Sequence, residues 1–92
     1  MNSFLMHDSR DNVGVAITDI KSGERLTGKS LDNGRTLQLA ARQEIPFGHK
    51  IALKDLEVGD TVIKYGEDIG KVVAPIRAGE HVHVHNLKTK KW

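Results

Sequence analysis

Residues 13–20, VGVAITDI, place Val13, Val15, Ile17 and Asp19 on one side of an extended chain and Gly14, Ala16, Thr18 and Ile20 on the other. Successive side chains of a strand point to opposite faces, so a period of two reads as β-strand. Apolar residues at helical spacing are hard to find in the 92-residue chain, whereas short alternating runs bounded by Gly, Asp and Asn recur. The fold class expected is mostly β.

Working outward, KSGE (21–24) reads as a turn. DNGR (32–35) carries an Asn-Gly pair, both positions of which tolerate positive φ, so a tight hairpin turn is expected there, with residues 36–40 as the returning strand. In IPFGHKIAL (45–53), Pro46 and Gly48 interrupt regular pairing and leave His49 and Lys50 on an irregular loop or bulge. KDLEVGD (54–60) reads as one helical or 3-10 turn closing at Gly59. It is followed by strand 61–65, a turn at Gly66-Glu67-Asp68, and strand 69–74 ended by Pro75. IRAGE (76–80) is a further turn, and 81–87 is the last strand. No internal duplication, linker or low-complexity segment is evident, so residues 1–92 are expected to form a single small domain of short strands.

Composition narrows the function classes. Lys and Arg number 14 against 12 Asp and Glu, and the one basic run, residues 88–91, is short and terminal, so charge does not imply nucleic acid. The absence of cysteine excludes disulfides, thiolate catalysis and zinc–thiolate sites. The N-terminus lacks the basic start and apolar run of a signal peptide, and no 18 consecutive residues are apolar; a cytoplasmic protein without a membrane span is expected. Only four aromatic residues, Phe4, Phe47, Tyr65 and Trp92, are available to a short chain, so a core of aliphatic residues would gain from burial against a partner chain or a second copy.

Three of the five histidines lie in GEHVHVHN (79–86). On a strand, His81, His83 and His85 share one side while Val82 and Val84 face the core. The outer pair would be roughly 13 Å apart at Cα, so two of the three, but not all, could ligate one ion. The alternative is a solvated edge strand. His7 stands near Asp8, Asp11 and Asn12, where an imidazole and a carboxylate could act as base and orienter; the alternative is a turn whose Asp and Asn satisfy backbone groups. His49 and Lys50, after a glycine, could bind an anion or sit on a plain surface turn. Tyr65 reads as a core aromatic at a strand end, and GEDIG (67–70 with Gly66) lacks the spacing of a phosphate loop.

The elements His7-x-x-x-Asp11-Asn12-Val13, Gly48-His49-Lys50-x-Ala52-Leu53, Ile63-Lys64-Tyr65-Gly66 and Gly79-Glu80-His81-Val82-His83-x-His85-Asn86 occur in this order. Together they resemble the small SAF domain of the altronate and galactarate dehydratase family, over nearly the whole chain. The resemblance implies a β-clip fold and a lyase chemistry: a proton leaves from beside a carboxylate, and water or sulfite from the adjacent carbon. It also implies a divalent metal, typically iron, and a large catalytic subunit as partner. The likeness is strongest to members that stand alone as the small subunit of a two-chain lyase releasing sulfite from (2R)-3-sulfolactate, with water loss from altronate as the alternative. On this reading His7, Asp11 and Asn12 contact substrate or move its proton. His49, Lys50, His81, His83 and His85 bind substrate, and His83 with His85 touches metal. The opposing expectation is a noncatalytic β-clip module that recognises a carbohydrate or a protein.

Overall fold

The computed structural model describes residues 2–89; Lys90 and Lys91 of the basic run, and Trp92, lie outside the described residues. Among the described residues nine short strands carry the fold: β1 (Phe4–Met6), β2 (Val13–Ala16), β3 (Arg25–Ser30), β4 (Thr36–Ala40), β5 (Lys50–Ala52), β6 (Thr61–Lys64), β7 (Glu67–Val72), β8 (His81–Val82) and β9 (Leu87–Thr89). They form a six-stranded sheet in the order β4-β3-β1-β2-β5-β8 and a three-stranded sheet in the order β6-β7-β9. Only β1 and β3 run parallel; every other ladder is antiparallel. The mostly β expectation holds, and no helix forms among the described residues.

The strand expected over 13–20 ends at Ala16, and the alternation within it explains why the core is double. Phe4, Met6, Ala16 and Ile51 bury one face of the central strands with Ile20, Leu26 and Ile45. Val13 and Ala52, on the opposite face, bury with Leu56, Val62, Val72, Ile76 and Val82. Strands β2 and β5 therefore serve two cores at once, as strands covered on both sides do. Phe4 fills space left by an absent side chain on β3: a Cβ on Gly28 would lie 2.0 Å from its ring.

The expectation of no internal duplication is overturned at the level of turns. Four units of the form apolar-x-x-Gly-x-x-apolar recur: Ile20 to Leu26, Ile45 to Ile51, Leu56 to Val62 and Ile76 to Val82. The first residues pair as isolated antiparallel bridges, Ile20 with Ile45 and Leu56 with Ile76. In every unit the glycine N–H donates to a carbonyl of another segment, and the residue after the glycine accepts from that segment's N–H. The partners are Ala41, Ala16, Val72 and Ala52 in turn. The repeat escapes a composition scan because only three positions in seven are fixed. The segment 54–60, expected as one helical or 3-10 turn, instead runs into the Leu56 to Val62 unit: Leu56 makes a bridge and Asp60 N–H closes on Glu57 C=O at 3.0 Å.

The tight hairpin also lies elsewhere than expected. Between β3 and β4 only Gly34 has positive φ (72°), and the loop is longer than two residues. Asp32 is drawn to the Ser30 hydroxyl and to the Ser9 N–H, and the Asn33 side-chain Oδ1 accepts from Arg35 N–H, which stabilises a wider loop. The two-residue turn is Tyr65-Gly66, both at positive φ (57° and 72°), between the paired residues Lys64 and Glu67. Of the turn expected at 66–68, Gly66 is in the turn while Glu67 and Asp68 begin β7.

Glycines of the same turn type are expected to differ in tolerance. A Cβ on Gly79 would meet the Ala40 carbonyl oxygen at 2.1 Å, whereas one on Gly23 meets nothing within 4 Å. Gly23→Ala should cost about 1 kcal/mol for the left-handed backbone alone, and Gly79→Ala about 2–4 kcal/mol. Urea unfolding of the two variants checks this.

Candidate functional site

In three of the four turn units the residue after the glycine is acidic, and its carboxylate accepts the N–H of the first turn residue: Glu24 from Lys21, Asp60 from Glu57, Glu80 from Arg77. In the fourth, that residue is His49 and the first turn residue is Pro46, which has no N–H to satisfy. The backbone turn still closes, His49 N–H to Pro46 C=O at 3.0 Å. The His49 side chain is thereby released from the turn.

Where it goes follows from register. Strands β5 and β8 pair Lys50 with Val82 and Ile51 with His81, so one step further along the ladder His49 stands opposite His83 on the face that carries His81. His49 Nδ1 and His81 Nε2 are 2.9 Å apart, and the His49 and His83 rings stack at 4.7 Å between centroids. Lys50, expected on an irregular loop, is the first residue of β5.

The strand expected over 81–87 ends at Val82. Asn86, a buried polar residue, clasps the turn that follows: its Oδ1 accepts from His83 N–H at 2.9 Å, and its Nδ2 donates to His81 C=O at 2.8 Å. Curling carries Val84, expected in the core, out to 76% exposure. It also brings histidines together that a straight strand would separate. The His81 ring lies 5.4 Å from that of His83 and 5.6 Å from that of His85. Asn86 was missed among the site residues; an amide placed directly after the histidine run is the signal that could have found it.

One ligand nitrogen from each of His49, His81 and His83 lies within 4.8 Å of the others. An ion held by imidazoles at about 2.1 Å sets its ligand nitrogens about 3.4 Å apart, so this trio fits a divalent transition metal after small ring rotations. The trio keeps His83 of the expected metal pair and brings in His49 and His81; His85 stands beside it on the turn.

The electrostatics are one-sided. Burial lowers the pKa of His81, and His49, His83, His85 and Lys50 lower it further; burial, His49, Lys50 and His85 act likewise on His83. Lys50 is itself lowered by burial and by Lys64. His81 and His83 imidazoles kept neutral are competent metal ligands, and Lys50 beside them favours an anion.

His7 belongs to a second group. Its ring stacks on Tyr65 with centroids 3.8 Å apart, and the Lys64 Nζ lies 5.1 Å from the Tyr65 ring centre. Tyr65, expected in the core, is 54% exposed. Asp11 is occupied as an acceptor: Oδ2 takes His7 N–H (3.1 Å) and Asp8 N–H (3.2 Å), while Oδ1 takes Gly66 N–H (2.8 Å). Asn12 works as a backbone splice at the β6 bulge, accepting from Ile63 N–H and donating to Thr61 C=O. The Arg10 guanidinium beside Asp8 holds its carboxyl at about 2, which makes it a poor proton acceptor at neutral pH. Lys50 links the two groups, since Lys64 acts on it and it acts on His81 and His83.

A sequence profile of the altronate/galactarate dehydratase SAF domain matches residues 2–90. The chain belongs to that family. It is 53% identical over 90 residues to the (2R)-sulfolactate sulfo-lyase subunit alpha of Chromohalobacter salexigens, covering 97% of this chain and 96% of the relative. The subunit of the same name from Paracoccus pantotrophus is 62% identical over 55 residues, 60% of this chain and 82% of that one. The altronate dehydratase of Bacillus subtilis is 40% identical over 89 residues, 97% of this chain but 17% of its own length. In that relative the SAF domain is thus a small part of a larger protein.

Two measurements follow. In metal-free chain, His81 and His83 have folded-state pKa values below their unfolded value near 6.5, so the folded state binds fewer protons. Their contribution is present above that unfolded value and is lost as pH falls through the lowered folded values. Melting temperature should drop from pH 7 toward pH 5, and His81→Gln with His83→Gln should flatten that slope. Second, His49→Glu with Pro46→Lys should restore the hydrogen bonding of the other three turns. The variant is expected to melt within a few degrees of the native chain while divalent-metal affinity falls by at least tenfold by calorimetry.

Proposed function

We propose that this chain is the small subunit of a lyase that releases sulfite from (2R)-3-sulfolactate, its histidine-bearing surface forming one wall of an active site completed by a large subunit. The observation that carries the reading is the end-to-end match to a sulfolactate sulfo-lyase alpha subunit, 96% of whose length is covered, against 17% of the altronate dehydratase. Altronate dehydration is the less favoured reading on the same ground.

The reaction breaks the C2–H bond beside the carboxylate and the C3–S bond, forming a C2=C3 double bond whose enol tautomerises to a 2-oxo acid. It needs a base, charge stabilisation and help for the leaving group. His7, half-buried and free at its ring nitrogens of any backbone duty in the Asp11 and Asn12 clamps, is the base. Asp11 and Asn12 act by fixing the loop that presents it. Lys50 and His85 meet the carboxylate and sulfonate oxygens. His49, His81 and His83 hold a divalent ion, iron on the family resemblance, which when bound supplies Lewis-acid stabilisation of negative charge.

The test is copurification with a large chain of the same family, followed by assay of sulfite release from sulfolactate and water loss from altronate. Sulfite release requiring both chains is expected, with His7→Ala lowering kcat by about 10²–10⁴-fold. Turnover of altronate alone, or sulfite release undiminished without this chain, overturns the proposal.

A further inference from the structure

The hairpin tip at Tyr65-Gly66 carries a conflict that packing alone does not explain. A bulky residue at positive φ is an outlier, and the first position of a two-residue turn of this kind favours Asn, Asp or Gly. Tyr65 takes that position at φ 57° and leaves its ring 54% exposed, so no core burial offsets the strain. What the ring does contact is the His7 imidazole, stacked at 3.8 Å with planes 30° apart.

The surroundings are arranged to hold that contact. The Asp11 carboxylate joins the backbone of the tip, through Gly66 N–H, to the backbone of the His7 loop, through His7 and Asp8 N–H. Gly66 is pressed against the loop as well: a Cβ there would lie 2.5 Å from the Arg10 guanidinium and 2.7 Å from the Asp8 carboxylate. Asn12 splices the end of the loop to β6 two and four residues before the tip. One carboxylate and one amide thus fix the tip and the loop to each other, and the two rings meet as a result. Strain maintained by its surroundings at an exposed position marks a functional constraint.

We propose that Tyr65 is a positioning residue of the lyase site, its ring setting the orientation of the His7 imidazole toward substrate. This rests on the lyase reading for its kinetic consequence. The phenol hydroxyl is not required; the ring is.

The decisive variants are Tyr65→Asn, which suits the turn and removes the ring, and Tyr65→Phe, which keeps the ring. In the two-chain complex Tyr65→Asn is expected to lower kcat by about 10- to 100-fold with KM little changed, and Tyr65→Phe to remain within about threefold of the native enzyme. The isolated Tyr65→Asn chain should melt no lower than the native one, which separates lost positioning from lost folding. Proton NMR of the isolated chains should show the His7 ring protons displaced upfield by the Tyr65 ring in the native and Phe forms, and returned toward free values in the Asn form. Native turnover in Tyr65→Asn, equal loss in Tyr65→Phe, or no upfield displacement in the native chain overturns the proposal. An inactive native complex counts against the lyase reading, while the NMR comparison still decides the placement of His7.

Discussion

The constraint on which the rest of the structure depends is a reciprocal pair of backbone hydrogen bonds: a turn glycine donates its N–H to a neighbouring segment, and the carbonyl of the next residue takes that segment's N–H in return. Made four times, it lets a chain with no helix among its described residues satisfy its peptide groups while changing direction every few residues. The two isolated bridges, Ile20 with Ile45 and Leu56 with Ile76, tie the units in pairs and send one apolar side chain of each into a core. Because β2 and β5 lie between both cores, the histidine edge and the His7 loop extend from strands fixed on two faces.

The site residues stand where this regular scheme is relaxed. Replacing an acidic turn residue by His49 would leave an N–H without its carboxylate, except that Pro46 has removed that N–H. Asn86 supplies a side-chain amide where strand pairing stops, and the curl it imposes collects imidazoles that period-two geometry disperses. Tyr65 takes a backbone conformation suited to a smaller residue. Each departure places a ring beside another ring, so local conflict with the fold coincides with the candidate site.

Much of the fold was legible because alternation is a local signal. Residues 36–40 form β4 as read, and the turns at 21–24 and 76–80 close around Gly23 and Gly79. The structure departs from that reading where contacts distant in sequence override the local signal. Asn33-Gly34 offered a tight turn, but Asp32 found Ser30 and Ser9 instead; Tyr65-Gly66 offered no such signal, but Asp11, 55 residues from Gly66, enforced it. The histidines were legible as chemistry and not as geometry. Their assembly depends on the β5–β8 register and on Asn86, and a sequence scan for period two reads straight through that clasp. His7, Asp11 and Asn12 were found together, but the sharing of the Asp11 carboxylate among three N–H groups is visible only in three dimensions.

Strand β8 has only two residues and is the last strand of its sheet. A longer apolar strand at that edge would offer a row of open peptide groups to the edge of another molecule, the route by which sheets grow into aggregates. Here the chain leaves the edge after Val82, turns on Asn86, and presents bulky polar rings with Lys50 close behind. The curl that gathers the histidines therefore also terminates the sheet, and a straight version of the same segment would be poorer in chemistry and more prone to self-association.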